Sequence, residues 1–255
     1  NSWFATHPRT QDRVVAAAEI ASIGLVDPFV GRNTYLRQID GMVFGDSPAQ
    51  GFIRGRVFSH PELRLTFEVP DGFRMVNAPT HVTAFNRDGA AIIFDGGAYS
   101  GGSMVNYTQT WITELAGRQM ALNDLESITI NGMEAATGWV RLPLQQGDSE
   151  VRLLAIRYGS DTVYRFVFIA PVGQASTLAT PFRRTTYSFR QLSGSEAQAL
   201  KPLRIRIVQV RAGDTITTFA NQMQFENLQR ERFMVLNGLT SEADLQAGML
   251  VKVVR

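Results

Sequence analysis

From residue 63 to residue 190 apolar and polar side chains alternate in short runs, the period of half-buried strands. Leu63, Leu65, Phe67 and Val69 alternate with Arg64, Thr66 and Glu68 before Pro70, Asp71 and Gly72 turn the chain. Residues 82–85 and 90–94 flank Asn86, Arg87, Asp88 and Gly89, a composition that predicts a hairpin. Residues 135–142, 151–158 and 162–169 continue the series. One helical stretch interrupts it, with Met104, Trp111, Leu115 and Leu122 near one face, and residues 175–184 predict another that leads into a closing strand at 186–190. The stretch 63–73 and its return at 185–190 therefore bracket a middle block of strands with packing helices.

The flanks carry different periods. Thr10 is placed to cap a helix over 13–21 that stops at Gly24, and Tyr35, Leu36, Ile39 and Met42 share a face of a helix over 33–43. Gly45, Pro48 and Gly51 break that run. Beyond the block, residues 193–202 form a polar, capped segment ending in Pro202, read as a linker with a short helix. The remainder predicts strand 206–210, a turn through Gly213 and Asp214, helices 216–223 and 230–236, and strand 249–254. These patterns predict an α+β chain in three parts: helical residues 1–59, a domain of strands with packing helices over 60–198 and a small βααβ module over 203–255.

Composition narrows the partners. A formal charge of +2 on 255 residues gives no basic face built for phosphate backbones, so nucleic acid is an unexpected partner. Only Lys201 and Lys252 among 25 basic residues are lysines, a bias that reports genome composition. The absence of cysteine excludes disulfides and thiolate metal sites. No apolar run of about 18 residues occurs, so no transmembrane segment is expected. A start at Asn1, without Met and inside what reads as a motif, suggests a fragment or a processed product.

The candidate chemistry is sparse. The glycines of residues 95–103 fit neither nucleotide fingerprint and have no lysine within reach, so the stretch reads as an ordinary loop. Asp124 with Glu126, and Asp148 with Glu150, could form acid–base pairs, but each pair falls in a polar connecting stretch and reads as solvated. Trp111 and Trp139 read as core residues.

Three resemblances add to this reading. Thr6, His7 and Pro8, with Arg13 six residues past the histidine and the stretch YLRQIDGMVFGDSPAQGFIRG, resemble the segment that follows the zinc site in the HtpX-like, CAAX-protease-related gluzincin metallopeptidases. The resemblance covers about the first 55 residues. It implies that His7 and Arg13 neighbour a zinc site; the residues alone also fit a turn entering a helix. Members cut peptides with HExxH and a further glutamate ligand, and this chain has neither, its histidines being His7, His60 and His81. No catalytic site is complete here, and no metal site or cofactor is expected within the chain. Zinc is implied only for a parent protein.

The leading strand ending VPDGF, the antiparallel strands, the packing helices and the closing SFR resemble the PsbP-like α/β/α sandwich. Members serve as binding or assembly domains. The C-terminal order, with VRAGDTITTFA, FMVLNGL and LQAGMLVKVV, resembles a LysM glycan-binding module, with a charged stretch at 223–232 longer than the family's usual inter-helix connection. In that family N-acetyl sugars lie between the loop after the first strand and the loop before the last. Carried over, Gly213, Asp214, Thr215, Asn237, Gly238 and Leu239 would border peptidoglycan or a similar glycan. The same residues also fit plain helix caps in a module that only packs against its neighbours.

Together these imply the non-catalytic C-terminal region of a bacterial envelope zinc metallopeptidase. It would sit in a Gram-negative periplasm or cell envelope and position its own metallopeptidase domain on wall glycan or protein clients. The alternative is a free-standing envelope protein that binds peptidoglycan or assists assembly, with no protease link.

Overall fold

The alternating block folds as antiparallel sheet, each strand burying about one side chain in two. The computed structural model describes residues 14–19, 31–145 and 147–255, of which 14–19 are helical. Strands β1 (Phe52–Arg54), β2 (Val57–His60) and β3 (Leu65–Glu68) belong to a small sheet, and β4 (Arg74–Asn77), β5 (His81–Phe85) and β6 (Ala91–Ala98) to a large one. Helix α1 is Arg32–Gln38 and helix α2 is Met104–Ala116. Strands β7 (Asn123–Ile130), β8 (Met133–Leu144), β9 (Gly147–Arg157) and β10 (Thr162–Pro171) complete the seven-stranded sheet in the order β4-β5-β6-β10-β9-β8-β7. Helix α3 (Ala175–Ser188) and strand β11 (Arg190–Gln191) close the block, the small sheet running β1-β2-β3-β11. The class is α+β with antiparallel sheets, as expected.

Local chemistry explains the main turns. Asn86 shapes the β5–β6 hairpin by accepting the N–H groups of Asp88 and Ala90 at 3.0 and 2.9 Å. Gly96 and Gly97, expected in a loop, extend β6 instead. They are small because Tyr164 and Arg165 lie across the ladder: a Cβ on Gly97 would fall 2.5 Å from the Tyr107 hydroxyl.

Each face of the large sheet has its own cover. On one, Ser103 caps α2 by accepting the Asn106 N–H, and Trp111 and Ile112 pack on Val140, Val151 and Leu153. Leu115 is exposed and lies off that face. On the other, α3 and the small sheet enclose an aromatic core: Phe67, Phe94 and Phe166 meet pairwise at 4.7 to 5.1 Å, and Phe189 joins at 5.8 Å from Phe166.

Several expectations shift at this level. Residues 52–60 form the β1–β2 hairpin, so the segment 1–59 is not wholly helical and its boundary falls inside β2. Gly51, at φ +79° beneath the Phe58 ring, and Gly55, at φ +54°, give that hairpin the backbone freedom it requires. Helix α3 runs through Thr185, Thr186 and Ser188, because Leu178, Phe182, Thr185 and Thr186 bury one face at helical spacing. The return to β3 is left to two residues, Arg190 opposite Thr66 and Gln191 opposite Leu65. Residues 123–130, read as a connection, are an edge strand whose alternation is broken by a bulge at Asp124, φ +47°.

The C-terminal order is strand β12 (Ile205–Gln209), helices α5 (Ile216–Ala220) and α6 (Gln229–Asn237), and strand β13 (Leu250–Val254), following a short helix α4 (Gly194–Ala199). Strands β12 and β13 pair from Ile205 opposite Val254 to Gln209 opposite Leu250. Phe219 and Phe233 stack beneath the helices at 5.4 Å and 11°. The N-terminal segment is part of this module: the N–H of Gly41 donates to Ile205 O, the N–H of Ile205 to Met42 O and the N–H of Phe44 to Leu203 O, at 2.7 to 2.9 Å.

Phe166 is fully buried at the meeting point of the aromatic core. Phe166→Ala is expected to destabilise the chain by about 3–5 kcal/mol, measured by chemical denaturation.

Candidate functional site

The two loops that would border a glycan, residues 211–215 and 238–249, meet at one end of β12 and β13. The Ile216 N–H donates to the Glu242 carboxylate at 2.6 Å, and Glu242 also pairs with Arg230 at 3.1 Å. The Gly248 N–H donates to Val210 O and the Val210 N–H to Met249 O, each at 2.8 Å. Glu242 thus satisfies one of the orphan donors at the start of α5 while holding the second loop to the first.

The side chains expected at the glycan mostly turn inward. Asp214 accepts the Arg211 N–H at 2.8 Å, and Thr215 caps α5 by accepting the Thr218 N–H. Asn237 donates to the carbonyls of Phe233 and Lys252 and accepts the Lys252 N–H at 2.7 Å, which staples α6 to β13. Gly238 ends α6 in the left-handed region at φ +67°, and Leu239 is buried in the module core. Gly213, at φ +89°, is exposed with open space around it.

What the edge presents is backbone. Among the described residues, the N–H groups of Ala212, Gly213, Gln246 and Ala247 have no hydrogen-bond partner in the protein. They are exposed, two on each loop. Asp244 fixes the second loop by accepting the N–H groups of Thr240 and Ser241 and the Thr240 hydroxyl at 2.7 to 2.9 Å. Those bonds hold its carboxyl below the ordinary aspartate range. Glu242 was not singled out from the sequence; an acid beside a turn has no distinguishing signal until the fold brings Ile216 to it.

The remaining candidates disperse. His7 and Arg13 lie outside the described residues. Among the described residues no group of three or more His, Cys, Asp or Glu side chains could hold a metal ion. His60 Nδ1 accepts the Leu63 N–H at 3.2 Å, and burial pulls its pKa down. The acids read as solvated in connections lie in strands β7 and β9, where Glu126 and Glu150 line one cleft beside α3 with Arg152 and Arg183. Trp111 is buried, but Trp139 is only partly so: it stands on the sheet where α3 no longer covers it, its indole N–H donating to Asp124 at 2.8 Å.

No family model and no curated protein matches the chain. Among solved structures it is similar to the cyanobacterial PsbP of Synechocystis sp. PCC 6803, at 14% identity over 59% of this chain and 98% of that one, TM-score 0.43. It is also similar to LpqN, involved in cell envelope biogenesis of Mycobacterium tuberculosis, at 15% identity over 66% and 100%, TM-score 0.38. A protein from Bacteroides thetaiotaomicron aligns at 12% identity over 66% and 57%, TM-score 0.40. Likenesses of this size assign no family, and neither the metallopeptidase nor the LysM expectation is touched by them. No helix among the described residues is long and apolar enough to cross a membrane.

Two measurements follow from this geometry. Asn237→Ala leaves the Lys252 backbone groups unpaired and is expected to cost roughly 1–3 kcal/mol of stability, read as a lower denaturation midpoint. Because the folded pKa of Asp244 is depressed, its contribution is present above the free-aspartate value of 3.8 and lost as pH falls through the folded value. The amide signals of Thr240 and Ser241 should therefore titrate with a midpoint below 3.8 in an NMR series.

Proposed function

We propose that the chain places its parent protein and does not itself cut: residues 203–255 hold an N-acetyl-sugar polymer of the cell wall at the paired loops. The bond from the Ile216 N–H to Glu242 carries this reading, because it brings loops 211–215 and 238–249 to one edge. There, Gly213 and Ala247 are exposed, one on each loop, and their N–H groups have no partner among the described residues. Backbone donors suit acetamide carbonyls, which repeat along such a polymer, and they do so without the side-chain entropy loss of long polar residues. The stretch 1–55, which resembles a metallopeptidase, makes the placed cargo a zinc peptidase domain. The described residues do not fit the zinc itself, so no chemical step is assigned to them.

Pull-down of the full chain on purified peptidoglycan, with chitooligosaccharide as competitor, tests the glycan half. Glu242→Ala is expected to weaken binding about tenfold by releasing the second loop, the loss of one charge-assisted hydrogen bond, while Glu242→Gln retains part of it. Equal binding by all three proteins, or none by the wild type, would leave the module a packing element. The coding sequence upstream of Asn1 tests the enzyme half, with an HExxH motif expected there.

A further inference from the structure

The opposite end of the module carries a second feature. Residues 224–227, part of the long connection between α5 and α6, run back against the β1–β2 hairpin. The Glu226 carboxylate lies against Gly55, where any Cβ would overlap it. Phe225 meets Phe44 edge-on at 5.9 Å and lies under the Arg232 guanidinium at 4.6 Å.

Between this segment, the hairpin and β4 is a cleft of about 750 Å³ whose ionisable residues are Arg54, Arg56, Arg74 and Arg232 against Asp46 and Glu226. Arg56 is neutralised by Glu68 and Asp71. The other three guanidiniums are not. Among the described residues, the Arg54 guanidinium donates only to the carbonyls of Ile53 and Lys201 and lies over the Phe52 ring, that of Arg74 has no hydrogen-bond or ion-pair partner, and that of Arg232 meets only the Phe225 ring. Burial pulls the Arg54 pKa down, only partly offset by Asp46, as in a site short of negative charge.

The cleft opens onto an apolar trough of about 300 Å³ that shares Phe44, Phe225 and Arg232 with it. Its floor is Met223 and Leu236, and its rim is Leu228 and Val235, which are 59% and 82% exposed. Both stand in water at the edge of an almost wholly apolar lining beside the charged cleft. A guanidinium group above and aliphatic side chains beside it, joined through Arg232, match one kind of ligand.

We propose that this cleft and trough bind an anionic amphiphile, its phosphate or carboxylate head between Arg54, Arg74 and Arg232 and its aliphatic chain along Phe225, Leu228 and Val235. Guanidiniums take such heads bidentately, and a cleft of this size is within the range of small-ligand sites. A purely anionic ligand would leave the trough in water, and a purely apolar one would leave three guanidiniums against two carboxylates, Asp46 and Glu226. The five residues of β12 separate this site from the glycan loops by about 15 Å, so the inference does not rest on the glycan reading and both sites can be filled together.

The test is calorimetric titration of the full chain with monomeric dihexanoyl phosphatidic acid, dihexanoyl phosphatidylcholine and inorganic phosphate. The phosphatidic acid is expected to bind about tenfold or more tightly than either of the others, and more weakly as salt rises. Arg74→Ala and Arg232→Ala, with melting curves as the folding control, should each lower its affinity about tenfold. Val235→Ser should weaken phosphatidic acid and leave phosphate unchanged. Phosphate binding as tightly as the lipid would reduce the site to a simple anion cleft and overturn the proposal. So would equal affinity for phosphatidylcholine, or competition won by an acidic peptide.

Discussion

Residues 41–44 lie along β12 as a third, irregular strand, and the placement of both candidate sites depends on that ladder. Each backbone bond in it contributes a net 0.5–1.5 kcal/mol or so, and Asp40 adds another by accepting the Ile207 N–H at 2.9 Å. The chain then passes directly from Phe44 to β1, with the Asp46 carboxylate accepting the Ile53 N–H at 2.9 Å. The module is therefore joined to the sandwich by two chain segments, 45–51 and 192–202, where the sequence suggested one linker. Two attachments restrict rotation in a way that one cannot, which limits how the edge formed by loops 211–215 and 238–249 turns relative to the sheets. The effective-concentration reasoning suited to a flexible tether therefore does not describe this connection.

The sandwich that anchors this arrangement depends on aromatic volume more than on helix cover. Helix α3 spans only part of the large sheet, and the four-stranded sheet fills the rest through Phe58, Phe67 and Phe189 packed on Phe94 and Phe166. Tyr158 reaches back from the end of β9 to donate its hydroxyl to the carbonyls of Leu63 and Arg64, which sets the register between the two sheets. Tyr164, stacked on Phe94, has its phenol pushed up to about 12 by burial beside Tyr158 and stays neutral throughout the physiological range. Where α3 stops short, Trp139, Glu126 and Arg152 stay partly exposed in place of core residues, which is why the sequence pattern of β7 to β9 mixes charges into strands.

Elements whose signal is local were legible in the sequence. The β5–β6 hairpin announces itself through Asn86 and Gly89, and the βααβ order through caps at Thr215 and Gly238. Elements that depend on a partner were not. The acids of β7 mask an edge strand, since an edge needs only one buried residue in several and a bulge shifts its period. Thr185 and Thr186 favour strand by propensity, yet their burial against the core extends the helix instead. The residues read as glycan candidates lie on the two loops and, for Asn237, at the end of α6, while their polar side chains are taken up by hydrogen bonds that close the loops internally. Caps use the side chains of Asp214 and Thr215, and the staple uses Asn237. The exposed donors are amides, which carry no residue identity and leave no trace in the sequence.

The long connection between α5 and α6 gains a physical reason from its surroundings. Lengthening a loop costs little closure entropy, about 0.6 kcal/mol for each doubling, so the extra residues need only modest compensation. They receive it twice: the Gln224 N–H donates to Val254 O at 3.0 Å, and Phe225 is held between Phe44 and Arg232. A connection that served only the module could stop at the first of these. The second reaches the added strand at Phe44, and Glu226 extends beyond the module to Gly55, so the segment forms one wall of the arginine cleft. The length of this connection is thus the feature that creates the cleft, because a shorter one would remove Phe225 and Glu226 and leave Arg54, Arg74 and Arg232 on an open surface.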